Sequence, residues 1–463
     1  MGHRTGRKFA SQVQIVREQL GTEPLAFGGS VSVEIIQEAL SECNIEFRER
    51  VYTPWITLWA FLSQVMSADH SCRYAVCQVI AYLAAQGRRV CSAATSTYCE
   101  ARARLPEAFY KHLFRRVGRQ TLEDAPSQWL LHGHPVKVVD GTTLLMSDTE
   151  ANQQEYPQAD PERPGLGFPI VRVLVMFSLA VGTVLEAMIR PYHGKATGEL
   201  AMFREVSESL QANDIVLGDK GFCSYCHVAW LHQRQIDVVL TLNRSRLPNL
   251  VRIKKLGKND FLYRWNKPKE KPEGFTAEEF ATLPSYLTVR MVTVDVGTQG
   301  FRPERLEILT TLLNKDKFSS SEIAELYRRR WMCELCLRDL KTTLQMDKLS
   351  CETPEMVRKE IYTHLLAYNV IRAQIAQAAY YLSMLPHQIS FKGTIQAITA
   401  FTTFCRNITL DELAIKIATI GHAEVGKQPG RCEPRKLKRR PKYEFLSEPR
   451  EVERSRVVAT SCE

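Results

Sequence analysis

This sequence of 463 residues lacks the features that mark secreted and membrane proteins. Its opening residues, Met-Gly-His-Arg-Thr-Gly-Arg-Lys, are not followed by an apolar run, so no secretory signal is predicted. The most apolar stretch, 173–185, is too short to span a bilayer, and Gly182-Thr183 inside it indicates a turn between two strands. We therefore expect a protein that works in the cytoplasm.

A disulfide framework is also missing. The 13 cysteines are scattered along the chain, which suits a reducing compartment. Two Cys-x-x-Cys pairs, Cys223/Cys226 and Cys333/Cys336, leave a zinc site open as an alternative. The two pairs are far apart in the sequence, and Cys333 falls on the apolar face predicted for its helix. Buried thiols are therefore the preferred interpretation.

The chain has no excess of acidic residues. Its formal net charge is +10 and its pI is about 8.9, a balance that favours a polyanionic partner. The hydrophobic content of 44% and charged content of 24% are those of an ordinary globular protein. A chain of this length can form two or three domains with full cores.

The stretch 327–341 carries the strongest chemical signal. Four of its residues form one polar stripe: Tyr327, Arg330, Glu334 and Lys341. On a single helix their offsets of 0, 3, 7 and 14 would bring them within roughly 60° of one another. A solvated charged face would explain the cations but not the lone carboxylate among them. A carboxylate flanked by phosphate-binding cations fits a metal-dependent phosphoryl-transfer site on nucleic acid.

The spacing Tyr-x2-Arg-x3-Glu-x6-Lys resembles the signature of bacterial insertion-sequence transposases of the family typified by insertion sequence four. These are DDE enzymes with an RNase H-like core, so the resemblance implies two aspartates upstream of Glu334. Two apolar runs end in such residues: Asp140 follows a predicted strand and precedes a glycine, and Asp219 repeats the design. Taken alone, either aspartate could merely cap a turn. Together with Glu334 they occur in the order of the family.

The resemblance implies an α/β fold. Its parts are an RNase H-like catalytic core with a mixed five-stranded sheet and flanking helices, a β-rich insertion in that core, and an all-helical N-terminal domain. The expected boundaries are 1–125 for the helical DNA-binding domain, 126–425 for the catalytic domain with its insertion at about 245–317, and 426–463 for a basic tail. We expect two C-terminal helical patterns, 360–382 and 394–404, to pack on the core.

Several assignments stay open at this point. The arginines of the predicted N-terminal helices could bind DNA or be ordinary surface residues; they are Arg102, Arg104, Arg115, Arg116 and Arg119. The tail could bind DNA by charge or be a disordered solubilising segment. Asp316, Ser319 and Ser320 are all possible caps for the helix that carries Glu334.

The resemblance also implies a function. The protein would bind the terminal inverted repeats of an insertion sequence and catalyse strand cleavage and strand transfer. Asp140, Asp219 and Glu334 would hold two Mg²⁺ or Mn²⁺ ions, with Asp140 bridging both. Alternatives are a metal-dependent nuclease on the same core and a domesticated DNA-binding protein.

Further residues receive DNA-binding roles by the same resemblance. Tyr327, Arg330 and Lys341 would hold phosphates near the cleaved end. Trp265, in the insertion, is a candidate for the aromatic side chain that holds a flanking-strand hairpin, and a core tryptophan is the alternative. Family members pair two DNA ends as dimers, so a homodimer on double-stranded DNA is expected.

Overall fold

The computed structural model describes residues 2–22, 31–159, 165–242, 250–296, 304–404, 408–425, 448 and 451–452. The helices are α1 (Gly2–Thr22), α2 (Val33–Glu42), α3 (Pro54–Met66), α4 (Cys72–Ala85), α5 (Ser96–Arg104), α6 (Glu107–Glu123), α7 (Glu150–Glu155), α8 (Glu199–Val206), α9 (Tyr225–Gln233), α10 (Ala277–Thr282), α11 (Ser320–Arg328), α12 (Trp331–Arg338), α13 (Pro354–Tyr381), α14 (Phe391–Phe404) and α15 (Leu410–His422). The strands are β1 (Val136–Met146), β2 (Ile170–Ser178), β3 (Val184–Pro191), β4 (Ile215–Gly218), β5 (Asp237–Thr241), β6 (Leu250–Gly257), β7 (Asp260–Asn266), β8 (Tyr286–Val296), β9 (Glu304–Thr310) and β10 (Lys348–Leu349).

The chain forms two compact units. A helical unit contains the described residues of 1–129, 180–185 and 336–426, and a sheet unit contains those of 130–179, 186–335 and 427–463. Nearly all of the basic tail predicted at 426–463 lies outside the described residues. The boundaries of the two units differ from those of the expected domains, because the C-terminal helices belong to the same unit as the N-terminal ones.

The helical unit is built around α13. This helix of 28 residues begins at Pro354. The hydroxyl of Thr353, the residue before it, accepts a hydrogen bond from the backbone amide of Met356. Buried residues lie on all its faces, so α13 needs partners all round. It packs against α3, α6, α14 and α15, and α1 packs against α15. The predicted helices at the two ends of the chain therefore exist, and they share one core.

Arg102 has a different environment from the surface cation that the sequence suggested. Its guanidinium carbon lies 5.1 Å from the ring centroid of Phe61 and 5.5 Å from that of Tyr98. It also donates a hydrogen bond of 3.2 Å to Gln64. These contacts within the helical unit make Arg102 a packing residue.

The sheet unit contains one mixed sheet. Among its described residues the strand order is β3-β2-β1-β4-β5-β9-β8-β7-β6. β1 is antiparallel to β2 and parallel to β4, and β4 is parallel to β5. The first five strands of this order are the predicted mixed five-stranded sheet. Helices α8 and α9 cover it with apolar side chains such as Met202, Phe203 and Val228.

The insertion continues this sheet instead of forming a separate layer. β9 pairs antiparallel with β5 through Leu240↔Leu309, and β8, β7 and β6 follow in antiparallel order. The β-rich content predicted for 245–317 is thus confirmed where the chain is described. The sequence did not reveal the shared edge, because the periodicity of a strand does not specify its partner.

The cysteines agree with the prediction of buried thiols. Cys223, Cys226, Cys333 and Cys336 are all buried, and none of these described residues is in a disulfide. The two Cys-x-x-Cys pairs therefore serve the packing of their own segments.

Candidate active site

Asp140 lies on β1, and Asp219 directly follows the neighbouring parallel strand β4. β1 and β4 pair as far as Val138↔Leu217, so each aspartate lies two residues beyond the last pair. Adjacent strands are about 4.8 Å apart. The negative charge of Asp219 accordingly contributes to the electrostatic environment of Asp140.

A backbone amide orients each of these carboxylates. The Gly141 amide donates to Asp140 Oδ1 at 2.9 Å, and the Gly221 amide donates to Asp219 Oδ1 at 2.7 Å. Asp219 directly follows the last residue of β4, as predicted. Asp140 does not end its strand, so that expectation was wrong. β1 continues because its residues keep pairing with β2 as far as Leu145↔Ile170.

The Asp140 carboxyl resists ionisation. Burial raises its pKa to about 6, and the charges of Asp219 and Glu199 act in the same direction. The amide of Gly141 and the guanidinium of Arg330 oppose this effect without cancelling it. A cation placed beside this carboxyl would therefore stabilise its ionised form.

Glu334 lies on α12 and belongs to the sheet unit. Its carboxylate accepts a hydrogen bond of 2.9 Å from Arg330. The positive charge of Arg330 also acts on Asp140, so this guanidinium lies near both a strand acid and the helix acid. Ser319 caps α11, in a capping box with Glu322, which decides among the three predicted caps.

The segment that carries Glu334 is not one continuous helix, contrary to the prediction. α11 ends at Arg328 and α12 begins at Trp331. Between them the amide of Arg330 bonds to the carbonyl of Tyr327 at 3.0 Å, a tight i→i−3 turn. The constant step of 100° per residue therefore does not hold across the join, and the predicted stripe is interrupted.

Tyr327 points into the sheet unit. Its side chain is buried, with 8% of its surface exposed. Its hydroxyl lies 3.0 Å from the hydroxyl of Thr241, the last residue of β5. Burial raises the pKa of this phenol, so it stays neutral.

Glu199 is a fourth carboxylate that sequence reasoning missed as a site residue. It is the first residue of α8, and its side chain lies against Gly141, where a Cβ would be 2.6 Å from Glu199 Oε1. A larger residue next to Asp140 would therefore displace the Glu199 carboxylate. The sequence offered no signal for the approach, because an acid in the first turn of a helix is commonplace.

Comparison with known proteins decides the family. A sequence model of the family described as "Transposase DDE domain" matches residues 131–370, which include all three predicted catalytic acids. This chain belongs to that family. It is also 25% identical, over 430 residues, to the transposase InsG of insertion sequence element IS4 from Escherichia coli K12, covering 90% of this chain and 92% of that protein.

Shorter matches are to other transposases. The putative transposase of element IS4SA from Synechocystis is 24% identical over 211 residues, or 45% of this chain and 54% of that protein. The transposase of element IS421 from Escherichia coli is 38% identical over 64 residues, or 14% and 17% of the two chains. The protein is thus an insertion-sequence DDE transposase of the IS4 group, an enzyme acting on DNA, and its core is RNase H-like.

The described part of this transposase includes no helix with the length and apolarity needed to cross a bilayer.

Trp265 cannot serve the DNA-binding role considered for it, because only 2% of its surface is exposed. Its ring packs edge to face against Tyr225, with centroids 5.4 Å apart, within the main apolar cluster of the sheet unit. The alternative reading, a core tryptophan, is therefore correct. A strand pattern alone did not reveal which face of β7 is covered.

Lys341 lies in a π-helical turn, Asp339–Thr343, that belongs to the helical unit. Burial lowers the pKa of its ammonium group, and Asp347 opposes that shift. The regular helix assumed for it ends at Arg338. Its spacing from Glu334 in the sequence therefore does not translate into a shared helical face.

The acids of the transposase fit divalent cations chemically. All are oxygen donors of the kind Mg²⁺ and Mn²⁺ prefer, and the elevated pKa of Asp140 reflects a buried carboxyl that a cation would stabilise. Among the described residues, the side chains of Glu38, Glu42 and His112 form a group whose possible ligand atoms all lie within 4.8 Å of one another, with His112 Nδ1 at 2.6 Å from Glu42 Oε2. The three predicted catalytic acids do not form such a group.

Proposed function

We propose that this transposase binds the terminal inverted repeats of a bacterial insertion sequence and catalyses cut-and-paste transposition. The observation that carries the proposal is the register that sets Asp140 beside Asp219, with Arg330 and Glu334 bonded to each other nearby. A pair of carboxylates next to a phosphate-binding guanidinium is suited to a polyanionic substrate and its cations.

Asp140, Asp219 and Glu334 would hold two Mg²⁺ or Mn²⁺ ions, with Asp140 shared between them. Such ions lower the pKa of an attacking water or DNA 3′-hydroxyl and stabilise the leaving oxygen. The protein contributes the fixed positions of the carboxylates, through the amides of Gly141 and Gly221. Glu199 adds negative charge beside the pair.

Arg330 would change partner when DNA binds. Its guanidinium bonds to Glu334 in this structure, and a scissile phosphate would compete for it and release the carboxylate. Lys341 is proposed as a second phosphate ligand. Both contacts would fix the register of the DNA without reading its bases.

Sequence-specific recognition is proposed for the N-terminal helices within 1–125, and the basic tail would add charge. A homodimer would pair two ends in the DNA complex. The proposed location is the bacterial cytoplasm, at the nucleoid when DNA is bound.

The test uses the full-length protein with DNA carrying the ends of its own element, in Mg²⁺. We expect breaks at the element boundary and joining of the freed 3′ ends to a target plasmid. Asp140→Ala, Asp219→Ala and Glu334→Ala should each abolish cleavage and leave DNA binding largely intact. Glu325→Ala is the matched control, because Glu325 is an exposed acid on α11 that pairs with nearby Arg328.

Two outcomes would change the proposal. Cleavage without any joined product would make the protein a nuclease on the same core. Normal cleavage by any one of the three acid variants would remove that acid from the site.

A further inference from the structure

The two hydroxyl groups of Thr241 and Tyr327 form a partly buried link in the sheet unit. Their oxygens are 3.0 Å apart, and the Tyr327 side chain is largely covered by its surroundings. The phenol is therefore held against the end of β5.

Thr241 occupies a critical position in the sheet. β4 and β5 pair as far as Gly218↔Leu240, so Asp219 and Thr241 each directly follow the last paired residue of their strand. The hydroxyl link therefore attaches α11 at the strand position next to a catalytic acid. The negative charge of Asp219 accordingly acts on the Tyr327 phenol.

A short series of bonds runs from this link to Glu334. The carbonyl of Tyr327 accepts the amide of Arg330 at 3.0 Å, and the Arg330 guanidinium donates to Glu334 at 2.9 Å. The tight turn between α11 and α12 allows little movement of Arg330 relative to Tyr327. A displacement of Tyr327 would consequently move both Arg330 and Glu334.

We propose that Thr241 and Tyr327 are a positioning pair that fixes Glu334 relative to Asp219 for DNA cleavage. The pair acts through Arg330 and the turn. This inference rests on the proposed function. It assigns a role to Thr241, and it gives Tyr327 a positioning role in addition to the phosphate binding that the resemblance implies.

The experiment compares Thr241→Val, Tyr327→Phe and the double variant, each of which removes a hydroxyl and keeps most of the side-chain volume. Thr241→Ser restores the hydroxyl and is the conservative rescue. Tyr98→Phe is the matched control for a buried phenol, because the Tyr98 hydroxyl donates to Gln64 at 2.7 Å within the helical unit. Four quantities are measured in the full-length protein: the single-turnover cleavage rate of bound DNA, the Kd for DNA, the affinity for Mn²⁺ by electron paramagnetic resonance, and the Tm.

The positioning role predicts that Thr241→Val and Tyr327→Phe each slow cleavage by about tenfold or more, since small misplacements of reacting groups are costly. Both should weaken Mn²⁺ binding, and both should weaken DNA binding less than Arg330→Ala does, because Arg330 is displaced and not removed. The double variant should be no worse than either single one. Thr241→Ser and Tyr98→Phe should cleave at the wild-type rate.

Normal Mn²⁺ binding by both variants, with a weaker Kd for Tyr327→Phe alone, would overturn the inference and leave phosphate binding as the role of Tyr327. A lowered Tm with unchanged cleavage and Mn²⁺ binding would make the link purely structural. If the wild-type protein binds Mn²⁺ but does not cleave its DNA, the proposed function fails on its own. The Mn²⁺ affinities of the two variants still decide the inference in that case.

Discussion

The guanidinium of Arg330 donates a hydrogen bond of 2.9 Å to the carboxylate of Glu334, four residues along the chain. The same cation acts on Asp140 across the site. Arg330 therefore offsets part of the repulsion among the acids before any cation or DNA is bound. Replacing Arg330 should therefore change the electrostatic environment of both Glu334 and Asp140.

Arg330→Ala and Lys341→Ala should both weaken binding to end DNA and slow cleavage. Each lost phosphate contact should lower the salt slope of binding by about one unit. The measurement is the Kd for DNA over a salt series. Arg328→Ala is the control, because Arg328 is exposed and pairs with Glu325 at 2.9 Å. Slopes equal to that of wild type in both variants would mean that these cations serve the fold.

Asp140→Asn should stabilise the metal-free protein at pH 7. The folded pKa of about 6 lies above the usual value for an aspartate of about 3.9. The folded state thus binds the proton more tightly, and the free energy of unfolding falls as pH rises from about 4 to about 6. Asparagine removes this loss, which we expect to amount to about 1–2 kcal/mol at pH 7. Denaturant unfolding at pH 4 and pH 7 measures it, and the variant should gain nothing at pH 4.

The pH dependence of metal binding should also report the ionisation of Asp140. Since a cation must displace the Asp140 proton, the Mn²⁺ affinity of the wild-type protein should rise about tenfold per pH unit below pH 6 and level off above it. A titration at several pH values checks this. An affinity that is constant from pH 5 to pH 7 would contradict the assignment of Asp140 as a ligand.

Trp265→Ala should lower the free energy of unfolding by about 3–5 kcal/mol, because it empties a packed site in the core. Tyr286→Ala is the comparison: Tyr286 lies opposite Asn266 in the neighbouring strand and is 49% exposed, so its loss should cost about 0.5 kcal/mol or less. Trp265→Phe, which keeps most of the packing, should leave the pattern of DNA cleavage products unchanged. A specific loss of hairpin products in that variant would show that Trp265 reaches the DNA.

Recognition of the element's own ends should depend on the helical unit. Arg48, Arg50 and Arg104 line a cavity of 280 Å³ there, beside the exposed ring of Phe47. Arg50→Ala should reduce the preference for the terminal repeat over scrambled DNA by about 1–3 kcal/mol if it contacts a base. Arg252→Ala, on strand β6 of the sheet unit, should weaken binding to both DNAs alike. The full-length protein is used, because α13 and α15 share the core of the N-terminal helices.

The sequence by itself predicted the three candidate acids and most of the elements. Asp219 after an apolar strand and the alternating strands β7 to β9 are local patterns, and local hydrogen bonding and side-chain periodicity produce them. For the start of α11 the sequence left three caps open, and the structure decided for Ser319. The order of these strands and helices along the chain could therefore also be predicted from the sequence. The family resemblance supplied the link from three acids to one site.

Only the tertiary structure decided which way the side chains of these segments point. The join at Arg329 and Arg330 ends the regular rotation of α11, so Tyr327 meets Thr241 while Glu334 meets Arg330. Trp265 is buried because α9 and the neighbouring strands cover its side of β7. Glu199 reaches Gly141 because α8 packs on that face of the sheet. Apart from the bond between Arg330 and Glu334, which are four residues apart, these contacts join residues far apart in the chain. Their free energy depends on packing that no local pattern encodes.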